Sequence, residues 1–104
     1  MLAVLLESEG FDVQTASNGA EALAAMRAMR PSVILLDLMM PVMSGDEFRK
    51  RQLAEPEYAS VPVICMTAAH DGPQRAQSIH ATEYFQKPVD FDRLITAVRE
   101  LARA

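Results

Sequence analysis

The chain has one cysteine, fewer basic residues than acidic ones (10 against 14), and a formal charge of −4. No apolar run approaches the ~20 residues that a membrane-spanning helix needs, and the first residues lack a charged stretch followed by a cleavage site. Each absence excludes something. A lone cysteine cannot close an internal disulfide, and Cys65, set within "VPVICMTA", reads as a small buried hydrophobe in a reducing compartment. A negative balance with a pI near 5.0 argues against the clustered basic face by which proteins hold nucleic acid. Low-complexity tracts and long linkers are missing, and the "AAMRAMR" echo is too brief to be a repeat. What remains is a soluble, cytoplasmic chain of 104 residues, enough apolar material for one core and one domain.

The apolar pattern alternates between two periods. "LAVLLESE" at 2–9 has helical spacing, and Gly10 suits the left-handed position just past a helix end. "FDVQTAS" reads as a short strand at 12–16, after which Asn18 and Glu21 cap a helix running to about Arg30, before Pro31. "SVILLD" is a continuous apolar strand, the pattern expected where helices cover both faces of a parallel sheet. Ser44 and Glu47 form an S-x-x-E box at the start of a third helix, which ends before Pro56. "VPVICMT" is another buried strand. Asp71 and Pro73 open a short helix to about residue 80, "TEYFQK" forms a further strand, and Asp90 caps a final amphipathic helix carrying Leu94, Ile95, Val98 and Leu101 on one stripe. Four strands alternating with five helices predict right-handed crossovers and a three-layer, doubly wound parallel sheet of flavodoxin-like type. In such sheets the functional groups gather beyond the carboxyl ends of the strands.

Asp37, Thr67 and Lys87 each stand at the carboxyl end of a different apolar strand. The fold would therefore bring a carboxylate, a hydroxyl and an ammonium to one rim. A carboxylate there is reachable by solvent and by a cation and can act as a nucleophile toward phosphorus. Lys87 would compensate phosphoryl charge and Thr67 would donate a hydrogen bond. Taken singly, each has a plainer reading: Asp37 as turn punctuation, Lys87 as a surface residue, Thr67 as a strand terminus. His70 and His80 lack ligand spacing and read as solvated or helix-end residues. The methionines at 26, 29, 39, 40 and 43 read as core filler or loop anchors.

The segments "LLDLMMPVMSGDEF", "VPVICMTA" and "YFQKPVD", in this order, resemble the receiver domain of two-component response regulators, the CheY-like family. The resemblance covers nearly the whole chain. It implies that Asp37 is the phosphoacceptor, that Met39 offers its backbone carbonyl to Mg²⁺, that Thr67 is the switch hydroxyl and that Lys87 contacts the phosphoryl group. It further implies a cis bond between Lys87 and Pro88, a tolerable cost before proline, and a switch role for Tyr84. The implied partners are a histidine kinase or phosphotransfer protein upstream and a protein docked downstream. The fourth helix is shorter than the family's usual one, which predicts an altered docking face.

One departure is large. Family members begin with a strand ending in two adjacent acidic residues that bind Mg²⁺, whereas here the first residues already read as helix. That strand would lie between the segment at 12–16 and the strand ending at Asp37. Without it, backbone groups on both neighbours lose their ladder partners, each at about 1–3 kcal/mol if buried unpaired. The gap could be filled by another chain, the front of the sheet could rearrange, or the chain could be an unstable fragment; a homo-oligomer or a rearranged front edge is expected. Mg²⁺ binding is expected to be weak or absent, because Asp37 and one carbonyl serve an ion poorly that wants octahedral oxygen ligands. Glu7 and Glu9 read as a solvated helix face rather than as replacement ligands. The chain reads as a stand-alone, non-enzymatic receiver module ending after its last helix. The rival readings are a phosphorylation-silent docking or dimerisation domain and, more remotely, a haloacid dehalogenase-type phosphatase. The latter wants a second aspartate where Met39 stands.

Overall fold

The computed structural model describes residues 2–38, 43–68 and 70–103. Its elements in chain order are α1 (Leu2–Ser8), α2 (Gly19–Ala28), β1 (Ile34–Asp37), α3 (Gly45–Leu53), β2 (Val63–Thr67), α4 (Gly72–Ser78), β3 (Glu83–Gln86) and α5 (Phe91–Arg103). The strands form one parallel sheet in the order β1-β2-β3, with Leu36 opposite Cys65 and Cys65 opposite Tyr84. Lys87-Pro88 is cis.

Alternation along the strands divides the core into two layers, as a side-chain period of two requires. On one face Leu36, Val63 and Cys65 pack with Leu23 and Met26 of α2, Phe48 of α3 and Ala76 of α4. On the other Ile64 and Met66 pack with Leu94 and Val98 of α5, and Leu2, Phe11, Leu35 and Phe85 lean on that cluster. All five residues of β2 are buried, which explains why the middle strand reads as an unbroken apolar run.

The caps form much as the sequence indicates. Asn18 Oδ1 accepts from the Glu21 amide at 3.0 Å, and Glu21 returns a bond to the Ser17 amide at 3.0 Å. Ser44 Oγ accepts from the Glu47 amide at 3.2 Å, while the Glu47 carboxylate turns to Arg51 one helical turn on. Asp90 accepts from the Arg93 amide at 3.3 Å. Asp71 makes no side-chain cap bond. Gly10 ends α1 with φ of +94°, the left-handed conformation that a glycine adopts without a Cβ penalty.

The expected strand at 12–16 is not formed, so the sheet among the described residues has three strands rather than four. The segment's alternation holds only as far as residue 14: Phe11 and Val13 are half-buried and Asp12 and Gln14 exposed, but Thr15, which a period of two would set on the face of Val13, is exposed and Ala16 is half-buried. Side-chain alternation does not make a strand without a backbone ladder, and the neighbour that this segment would pair with is not among the chain's strands. Phe11 instead anchors the segment to the α5 side of the core, with the Arg99 guanidinium 5.3 Å from its ring centre.

Candidate functional site

Each site residue is delivered by the end of a strand. Asp37 closes β1, Thr67 closes β2, and Lys87 follows β3 directly. Register brings them level: Asp37 lies opposite Met66, Thr67 lies opposite Gln86, and the Lys87 amide donates to the Thr67 carbonyl at 3.0 Å. Across the rim, Lys87 Nζ donates to Asp37 Oδ2, an ion pair between groups 50 positions apart. The Asp37 side chain is 32% exposed and that of Lys87 42%, so an incoming donor can reach the carboxylate. Thr67 is fully buried. The carboxylate, hydroxyl and ammonium thus share the carboxyl edge of the sheet.

The chain leaving this rim is tightly placed. A Cβ on Gly45 would come to 2.8 Å of Leu38 Cα and 2.9 Å of the Asp37 carbonyl oxygen. The start of α3 can therefore seat directly on the end of β1 only because residue 45 has no side chain. Tyr84 on β3 is half-buried, with its hydroxyl enclosed and without a hydrogen-bond partner among the described residues. Cys65 lies in the core beneath the rim, and burial, with lesser help from Asp46, pushes its thiol up to about 11. Near neutral pH the buried thiol is therefore held in its protonated form.

Residues outside the rim fall as follows. Glu9 is held by Arg99 at 2.7 Å and Glu7 is exposed on α1. His70 and His80 are both exposed, His80 just past the end of α4 with φ of +55°. Met39, whose carbonyl was assigned to Mg²⁺ by resemblance, lies outside the described residues. Among the described residues no group of three or more His, Cys, Asp or Glu is placed to hold a metal, and the one carboxylate established at the rim is already paired with Lys87. Of the described residues at the rim, the Asp37 carboxylate is the oxygen donor that a hard ion with near-octahedral coordination could take.

Sequence reasoning missed a polar network behind the site. Arg49, on α3 and only 6% exposed, donates to the Ile79 carbonyl (3.0 Å), the His80 carbonyl (2.9 Å) and Gln52 Oε1 (2.8 Å). Gln52, fully buried, donates to the carbonyls of Tyr58 and Val61. Burial lowers the pKa of Arg49. In addition, Arg75 of α4 pairs with Asp46 of α3, and the hydrogen bond to Asp46 pushes the Arg75 pKa up. In "GDEFRKRQL" these residues look like a solvated helix face, and no local pattern marks partners some 30 positions away.

Comparison with known proteins agrees with the geometry. The pattern of the response regulator receiver domain matches residues 1–99. The DNA-binding response regulator MtrA of Mycolicibacterium paratuberculosis is 34% identical over 105 residues, covering 99% of this chain and 45% of MtrA. The chain thus spans less than half the length of that relative. The signal receiver domain of a signal transduction histidine kinase from Syntrophus aciditrophicus superposes with a TM-score of 0.89 at 28% identity, over 98% of this chain and 79% of that one. The Vibrio cholerae chemotaxis protein CheY4 superposes with a TM-score of 0.86 at 31% identity, over 97% of this chain and 86% of its own. No helix among the described residues is long and apolar enough to cross a membrane.

Proposed function

The chain belongs to the response regulator receiver family of two-component signalling proteins, a non-enzymatic module, and from that premise we propose that Asp37 takes a phosphoryl group from a histidine kinase or phosphotransfer protein. The observation that carries this reading is the Asp37–Lys87 ion pair beside Thr67, three strand ends meeting at one accessible rim. A carboxylate oxygen of Asp37 attacks phosphorus, the donor's P–N bond breaks, and the departing imidazole keeps the electron pair and takes a proton. Lys87 then transfers its ammonium from the carboxylate to the phosphoryl oxygens, while the Thr67 hydroxyl turns toward them. The protein works in the cytoplasm, and the phosphoryl group changes how a partner protein docks near Tyr84. No step is routed through Mg²⁺, and titration of Mg²⁺ against backbone chemical shifts should show no saturation below millimolar metal.

Incubation with acetyl phosphate, followed by intact mass, tests the reading. The expected result is a transient gain of one phosphoryl group, abolished in Asp37→Asn and slowed at least tenfold in Lys87→Ala. No gain in the native chain favours the second reading, a docking or dimerisation module that has lost phosphorylation. That reading draws on the Lys87 ammonium that already occupies the Asp37 carboxylate. β1 ends the sheet on one side, and either reading allows a second copy to cover that edge, since open strands recruit partners.

A further inference from the structure

We propose that Gly72 is the positioning residue that decides where Tyr84 sits, and that two arginine clamps give it this power by holding α4 still. A Cβ built on Gly72 overlaps the Tyr84 hydroxyl and comes to 2.8 Å of both Tyr84 Cζ and Thr67 Cγ2. Real side chains do not approach so closely, so with any residue other than glycine either the helix or the ring must yield. Helix α4 is poorly placed to move. From α3, Arg49 bonds to the carbonyls of Ile79 and His80 at its far end. From α4 itself, Arg75 pairs with Asp46 at the start of α3. Ala76 and Ile79 are packed in the core with Phe48. The ring, turning about its own side-chain bonds, is what gives way.

Tyr84 is suited to yielding. Its enclosed hydroxyl has no hydrogen-bond partner among the described residues, which raises the energy of the inward position, whereas burial of the ring against Thr67 and α4 lowers it. With these terms opposed, the room left by residue 72 tips the outcome. Residue 72 thus sets how closely the Tyr84 ring can lie against the Thr67 methyl. Its bearing on signalling rests on the reading of the rim as a phosphoacceptor, but the steric relation does not.

A double-mutant cycle tests it without phosphorylation. In the native background Gly72→Ala should lower the urea midpoint. In a Tyr84→Ala background the loss should be at least halved, because only the Thr67 methyl still stands in the way of the new Cβ. The chain has two tyrosines, so Tyr58→Phe leaves a single signal in protein labelled with 3-fluorotyrosine. Gly72→Ala should move that signal to a solvent-exposed position with a larger D₂O shift, and adding Arg75→Gln, which frees α4, should return it part of the way. Tyr84→Phe, lacking the unpartnered hydroxyl, should unfold at higher urea than the native chain. If Gly72→Ala does not fold alone but folds with Tyr84→Ala, the proposal stands. An undiminished loss in the Tyr84→Ala background, an unmoved fluorine signal in folded Gly72→Ala, no recovery on adding Arg75→Gln, a less stable Tyr84→Phe, or failure of both Gly72→Ala proteins to fold overturns it. Failure of Asp37 to take phosphate leaves the cycle untouched, so the two ideas fail separately.

Discussion

Thr67 occupies a fully buried place at the end of a strand whose other members are all apolar. A valine matches its shape but not its hydroxyl, so Thr67→Val separates the packing of this position from its hydrogen bonding. The variant is expected to keep its fold and its Asp37–Lys87 pair but to lose phosphoryl groups at an altered rate, measured by the decay of the intact-mass adduct; a decay matching the native chain would remove the hydroxyl from the mechanism. Cys65 gives a second expectation. Its thiol is buried and raised to about 11 from a usual 9.0. At pH 8 it should therefore react with a thiol-specific reagent only as fast as the chain opens, and urea should accelerate the reaction in step with unfolding. Both residues were legible in the sequence because each interrupts or terminates an apolar run. Tyr84 was legible as an aromatic three positions before Lys87. Its partner Gly72 was not, because the need for a missing side chain arises only when α4 and β3 are brought face to face.

Helices α3 and α4 are joined by polar contacts that no helix propensity foretells. Arg49→Met removes donors from the Ile79 and His80 carbonyls and from Gln52, leaving acceptors unsatisfied in the interior at a cost of about 2–4 kcal/mol. Chemical denaturation should show that loss as a lower midpoint. A change within a few tenths of a kcal/mol would mean that water satisfies these carbonyls. The segment at 11–16 is the opposite case: its side-chain alternation suggests a strand, yet its backbone has no ladder in the sheet. Hydrogen exchange of the amides at 12–16 should be far faster than in β2, by a factor of ~100 or more. Slow exchange there would show that a partner strand is present in solution. Periodicity placed Val13 inward but wrongly set Thr15, which is exposed, on the same face. It could not report the ladder, which depends on a neighbour elsewhere in the chain or in another one.

For the molecule as a whole, three strands and two helical layers were recoverable from the sequence because the apolar runs of β1 and β2 and the stripe of α5 are strong local signals. The rim followed from them, since a parallel sheet sends all of its carboxyl ends to one side. The front of the sheet did not follow, and it bears on assembly. With β1 at an edge of the sheet among the described residues, sedimentation velocity is expected to show self-association that grows with concentration; a monomer across the whole concentration range would rule this out. The site's central claim is that Asp37 is the group which carries phosphate. Borohydride reduction after exposure to acetyl phosphate converts an aspartyl phosphate to homoserine, and peptide mapping locates the change. Homoserine at position 37 and nowhere else is the expected result. An unreduced Asp37, or label at any other carboxylate, would contradict the account.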